Sequence, residues 1–166
     1  MTVADRGRAA LYQAESMVRG LFEHAQRAPG RAVDVCGIAL TLPPEARFAS
    51  LESVQRYVDD ALRVLGRPAE VRVRARAGVA GAHYEPVPPV IAVPTGAGGA
   101  WALRETVVLH EVTHHVVAVT AAPERSVAPH GPEFASAHVD VLRAVMGPEA
   151  GLALEVVYRE CGVPLR

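Results

Sequence analysis

The amino-acid sequence predicts an α+β fold in which a small antiparallel or mixed sheet packs against one helix that carries the chemistry. Three observations lead there. Segments of strand character gather between residues 32 and 94, helical periodicity flanks them on both sides, and "ALRETVVLHEVTHHVVAVT" is apolar on nearly every side, as a buried helix is. With 166 residues and 50% hydrophobic content the chain supports one compact domain, residues 1–166, and no repeat, low-complexity tract or linker divides it.

The elements follow in order. In "DRGRAALYQAESMVRGLFEHAQRA" the residues Leu11, Val18, Leu21 and Phe22 recur at helical spacing, and Pro29-Gly30 stops the helix. "AVDVCGIALTL" reads as a strand. Ser50 offers an N-cap hydroxyl to a second helix, "LESVQRYVDDALRVLG", with Gly66 suited to the C-cap and Pro68 beyond it. "AEVRVRARA" alternates strictly, which predicts a half-buried strand and sets Arg72, Arg74 and Arg76 on one face as a solvated positive row. "AHYEP" and "PVIAVP" are short extended segments, and "PTGAGGA" is a loop. Because Pro86, Pro88, Pro89 and Pro94 have no amide to give a ladder, "AHYEPVPPVIAVP" is expected at the sheet edge, where an extended ligand can add as a further strand. The apolar helix comes next and should end near Ala122 and Pro123; Gly131-Pro132 open "PEFASAHVDVLRAVMG", and "PEAGLALEVVYREC" is the last helix.

Within the apolar helix, His110-Glu111-Val112-Thr113-His114 forms an H-E-x-x-H pattern. At about 3.6 residues per turn, positions four apart lie one above the other, so both imidazoles reach one metal ion while Glu111 flanks that face beside a metal-bound water. Burying unpartnered histidine and glutamate costs several kcal/mol, roughly 2–7 per polar group, and a bound cation satisfies the whole set. A catalytic zinc takes three protein ligands and leaves one position open, so a third is expected downstream. His130, in "APHGPEF" just ahead of a helix, fits that place; Glu133 is its rival.

The pairing of "HEVTH" with "HGPEF" resembles the HExxH and downstream HGxxF or HGxxW of SprT-like zinc metallopeptidases over the central third of the chain. It is also similar, over much of the chain and including "HYE" and "VIAVP", to a group of small actinobacterial HExxH metallohydrolases. The resemblance implies a zincin-like fold, Zn2+ bound by His110, His114 and His130, and Glu111 as catalytic base. The zinc ribbon that SprT-like proteins often add has no counterpart in a chain whose two cysteines are Cys36 and Cys161. The expected activity is therefore zinc-dependent hydrolysis, with a peptide or protein as substrate. Two alternatives stand beside it: hydrolysis of a small amide or acyl compound, and a metal-stabilised binding or regulatory domain without activity. An intact Glu111 argues against the last, since a structural site fills all four positions with protein ligands.

Composition narrows the partners. A formal net charge of −1 gives no bulk attraction to nucleic acid or to an anionic membrane. "MTVADRGRAALYQAES" lacks the apolar core of a signal peptide and no run reaches the length of a membrane span, so the expected location is the cytoplasm. Of the remaining polar residues, Tyr84 is a candidate donor to a developing oxyanion. His115 points away from the metal-facing side of its helix, His83 and His138 read as structural histidines with satisfied ring nitrogens, and Asp140 as part of a solvated helix face.

Overall fold

A computed structural model of the chain describes residues 4–67, 69–78, 81–121 and 128–166. The predicted end of the motif helix near Ala122 and Pro123, and the proline at position 68, lie outside the described residues. The elements in chain order are α1 (Ala4–Arg27), a 3-10 turn (Pro29–Arg31), β1 (Ala32–Val35), β2 (Ile38–Thr41), α2 (Leu51–Val64), β3 (Arg72–Arg76), β4 (His83–Pro86), β5 (Pro89–Pro94), a second 3-10 turn (Ala100–Ala102), α3 (Glu105–Thr120), α4 (Pro132–Val145) and α5 (Pro148–Glu160). This is an α+β protein. Its elements fall into two compact units, one of Met1–Pro44 with Ala121–Arg166, the other of Glu45–Thr120. Among the described residues no helix is long and apolar enough to cross a membrane.

In the first unit α5 packs against α1, α4 and the β1–β2 hairpin. Leu11, Ala14, Val18, Phe22 and Ala25 of α1 recur every three or four residues, and all are buried. Phe134 and Leu142 of α4 join them with Leu154 and Tyr158 of α5. A ring such as Phe22, 1% exposed, contributes about 1.5–3 kcal/mol by leaving water. Helices α4 and α5 come together at Gly151, where a β-carbon would meet the Cβ of Arg143 at 2.6 Å, so only glycine permits the approach.

One departure from the sequence reading lies in this unit. "AVDVCGIALTL" is a hairpin and not a single strand: β1 and β2 pair antiparallel from Ala32↔Thr41 to Val35↔Ile38, around a two-residue turn at Cys36-Gly37. Both turn residues have positive φ, 52° and 86°, the combination a type I′ turn demands and one that matches the twist of the strands. Cysteine is a rare occupant of that position, which is why the turn escapes a search for Asn-Gly or Asp-Gly.

The second unit holds a three-stranded mixed sheet in the order β3-β5-β4, with β5 parallel to β3 and antiparallel to β4. Helix α2 packs on β3, and α3 packs on β4 and β5. Ser50 begins α2 with a reciprocal cap, its hydroxyl accepting from the Ser53 amide at 3.2 Å while Ser53 returns the favour to the Ser50 amide. Beyond Val64, Gly66 takes φ 66°, the left-handed conformation expected just after a helix.

The proline-rich segment expected along the sheet edge divides between edge and centre. Of its two strands β4 lies at an edge, and β5 runs through the middle with Val90 to Val93 buried. Pro89 and Pro94 sit at its two ends, and Val87-Pro88 forms the connecting turn, so no interior ladder amide is lost. Register places Arg74 and His83 on either side of Ala92, and Arg72 and Glu85 on either side of Val90, so the positive row shares its face with a histidine and a carboxylate.

Candidate metal centre

The helix bearing the H-E-x-x-H pattern is fixed at its start by two carboxylates of the second unit. Glu45 accepts from Nε and Nη2 of Arg104 at 3.1 and 2.7 Å and from the Thr106 hydroxyl at 2.7 Å. Glu105 accepts from the Ala46 amide at 2.7 Å and from the Tyr57 hydroxyl. Negative charge at this end also complements the helix dipole. Burial raises the Glu105 pKa, and burial together with the Glu105 charge pushes the Tyr57 phenol far up. From this anchored start α3 runs inward: every residue from Glu105 to Thr113 is buried.

His110 and His114 meet as their spacing predicts. Their Nε2 atoms are 3.1 Å apart, with ring centroids at 4.9 Å and planes inclined by 74°. Two imidazole ligands of one tetrahedral zinc, each at about 2.0–2.1 Å, have nitrogens roughly 3.3 Å apart, so the observed separation suits a shared ion. Histidine and glutamate groups able to hold a metal ion are present among the described residues, and these two histidines belong to one. His110 is buried and His114 half-buried, while Glu111 between them is 4% exposed.

Tyr84 stands half-buried on β4 with its hydroxyl 3.0 Å from Nδ1 of His115. His115 is 2% exposed, and burial pushes its pKa down while it pushes that of Tyr84 up. Its Nε2 is buried with no hydrogen-bond partner among the described residues. His83 has both ring nitrogens occupied, Nδ1 by Arg76 at 2.8 Å and Nε2 by Glu85 at 2.9 Å, and Glu85 also binds Arg74. This is the satisfied structural histidine expected of it, and the positive row is partly neutralised.

His130 belongs to the first unit, in the turn that leads through Gly131 and Pro132 into α4. The Tyr12 hydroxyl lies 3.3 Å from its Nε2, and the Phe134 ring meets it edge-on at 5.2 Å. Gly131 suits the tight approach to the helix, since a β-carbon would stand 3.1 Å from that of Ala128. Glu133 pairs with the Arg166 guanidinium at 3.0 Å. Asp140 pairs with Arg143 at 2.8 Å and is 73% exposed, a solvated position as expected.

One group in the first unit was not legible from sequence. Glu15, His138 and Tyr158, from α1, α4 and α5, form a buried network: Nδ1 of His138 is 2.8 Å from the Tyr158 hydroxyl and 3.3 Å from Glu15, and Tyr158 donates to Glu15 at 3.2 Å. Burial, then the Glu15 charge, raises the Tyr158 pKa well above the phenol range. The only linear signal was a glutamate on the apolar stripe of α1, one residue after the buried Ala14. No family model, curated protein or solved structure matches this chain.

Proposed function

We propose that this chain is a zinc-dependent hydrolase of zincin-like plan that cleaves peptide bonds in the cytoplasm, with zinc held by His110, His114 and His130 and Glu111 as general base. The observation that carries the reading is the convergence of two imidazole Nε2 atoms at 3.1 Å on a buried helix that also buries a glutamate between them. The mixed sheet beside α3, with antiparallel β4 at its edge, supports the fold assignment. Glu133 has Arg166 as partner, which supports His130 as third ligand.

Zinc, when bound, polarises a carbonyl and brings the pKa of water to about 7. The protein's residues do the rest. Glu111 takes the proton of the attacking water and hands it to the leaving amine, so the same carboxylate serves first as base and then as acid. Tyr84 donates its hydroxyl to the oxygen on which negative charge develops. A peptide or protein substrate reaches this chemistry in extended form, which suits an edge strand such as β4.

The test combines elemental analysis with cleavage of an unbiased peptide library. About one zinc per chain is expected, retained in Glu111→Gln, while turnover in that variant falls by about 10²-fold or more. Equal binding of peptides by wild type and Glu111→Gln with hydrolysis by neither, of peptides or of small acyl compounds, refutes the reading in favour of a metal-stabilised binding domain.

A further inference from the structure

We infer that His115 is a positioning residue, whose Nδ1–H donates to the Tyr84 oxygen and so leaves the Tyr84 hydroxyl hydrogen to a ligand's carbonyl oxygen at the β4 edge; the inference rests on the hydrolase reading. His115 follows His114 by one residue and is turned about 100° round the helix from it, so it serves β4 and not the histidine pair. The two rings meet edge to face, with centroids 5.6 Å apart and planes at 73°.

Which partner gives the hydrogen is decided by the other ring nitrogen. Nε2 of His115 is sealed from solvent in a side chain 2% exposed and has no hydrogen-bond partner among the described residues. A neutral imidazole carries one N–H. If that hydrogen were on Nε2, it would be an orphaned buried donor, a rarer and costlier state than an acceptor left bare. With the hydrogen on Nδ1, the Tyr84 oxygen at 3.0 Å is there to accept it. That oxygen then accepts, and its own hydrogen must point elsewhere. Tyr84 is half-buried, and β4 pairs on one side only among the described residues, so a ligand that adds along β4 comes up beside an accessible phenol. A phenol aimed in advance loses no orientation when charge develops on its acceptor, which is how a fixed donor favours the transition state over the ground state.

The tautomer is measured directly by long-range proton–nitrogen correlation in the full-length, nitrogen-15-labelled wild type, with the His115 signals assigned by their absence from His115→Asn. Protonated Nδ1 and bare Nε2 are expected; protonated Nε2 overturns the inference whether or not the protein is a hydrolase. Kinetics supply the second reading. Tyr84→Phe should lower kcat by about 10²-fold with KM little changed, in the range for loss of one oxyanion donor. His115→Leu, close in volume, should lower kcat without loss of zinc and should add nothing to Tyr84→Phe, while His115→Asn, which keeps a donor near Nδ1, recovers most of the rate. Additive losses, or a wild-type kcat in His115→Leu, overturn it. A wild type with neither zinc nor turnover refutes the hydrolase reading, and the tautomer then decides alone whether His115 orients Tyr84.

Discussion

Removal of the Glu45 carboxylate tests whether the start of α3 is held by a buried ion pair. The side chains of Arg104 and Glu45 are 7% and 5% exposed, and one carboxylate takes two hydrogen bonds from the guanidinium and two from Thr106, through its hydroxyl and its amide. Four charge-assisted bonds at about 1.5–3 kcal/mol each sum to more than the whole effect, because they share one acceptor and are not independent. Loss of one partner of a buried pair sets the scale instead, at about 3–5 kcal/mol. Glu45→Ala should therefore cost about 3–5 kcal/mol, a large share of a typical domain's roughly 5–15 kcal/mol. Urea denaturation followed by far-ultraviolet circular dichroism is the assay: with a slope of about 1–3 kcal/mol per molar, the midpoint should fall by about 2 M with the slope unchanged. Glu45→Leu with Arg104→Leu should recover much of the loss, since an apolar replacement of both partners removes the desolvation cost along with the attraction. A cost below about 1 kcal/mol for Glu45→Ala would place the pair among solvent-screened surface bridges and refute the argument.

Chelation should lower the melting temperature of zinc-loaded protein, because metal at 100 times its dissociation constant adds about 2.7 kcal/mol to the native state; His110→Ala with His114→Ala should melt at one temperature with or without chelator. Glu105 has a raised folded pKa, so its contribution is fully present below the unfolded value of 4.5 and declines as pH rises through the folded value. Glu105→Gln should flatten that decline in denaturation curves taken at successive pH values, and an unchanged slope would assign it to other groups. Tyr158→Phe, which strips the hydroxyl between His138 and Glu15, should cost about 1–3 kcal/mol by calorimetry. At the hairpin turn Gly37→Ala, forced to φ 86°, should cost about 1–2 kcal/mol, against a near-neutral Cys36→Asn.

The sequence reading and the structure agree where a local rule decides the outcome. The extent of α1 follows from Pro29-Gly30, that of α2 from Ser50 and Gly66, and the His110–His114 meeting from helical spacing alone. They part where the outcome depends on what lies beside a segment. Nothing in "PVIAVP" says that it takes the centre of a sheet, because prolines at both ends of a central strand and prolines along an edge strand look alike in one dimension; β3 on its far side settles it. In "AVDVCGIALTL" the apolar alternation shifts phase at Cys36-Gly37, from Val33 and Val35 to Leu40 and Leu42, a faint linear sign of the turn that the positive φ of both residues completes. The Glu15–His138–Tyr158 network joins residues up to 143 positions apart, a separation that no spacing rule covers.

The helix that looked apolar on nearly every side is also where buried polar residues concentrate. Glu105, Thr106, His110, Glu111, Thr113 and His115 are all under 9% exposed. Their partners come from different sources: Ala46 and Tyr57 for Glu105, Glu45 for Thr106, the Leu109 carbonyl at 2.7 Å for Thr113, His114 for His110 and Tyr84 for His115. Glu105 and Thr106 tie the helix to the segment before α2, and Thr113 bonds within its own turn, so these three account for themselves as folding devices. The two imidazoles instead turn their Nε2 atoms toward each other at 3.1 Å, an arrangement that a shared cation completes. Polar residues gathered on an otherwise anchored helix are where a fold is expected to depart from its own best packing for the sake of function. On that ground His110→Leu with His114→Leu should leave the metal-free protein as stable as wild type or more so, by equilibrium denaturation in chelator, while abolishing zinc uptake. A loss of about 2 kcal/mol or more in the metal-free protein would make the two histidines part of the packing and remove this argument for a metal.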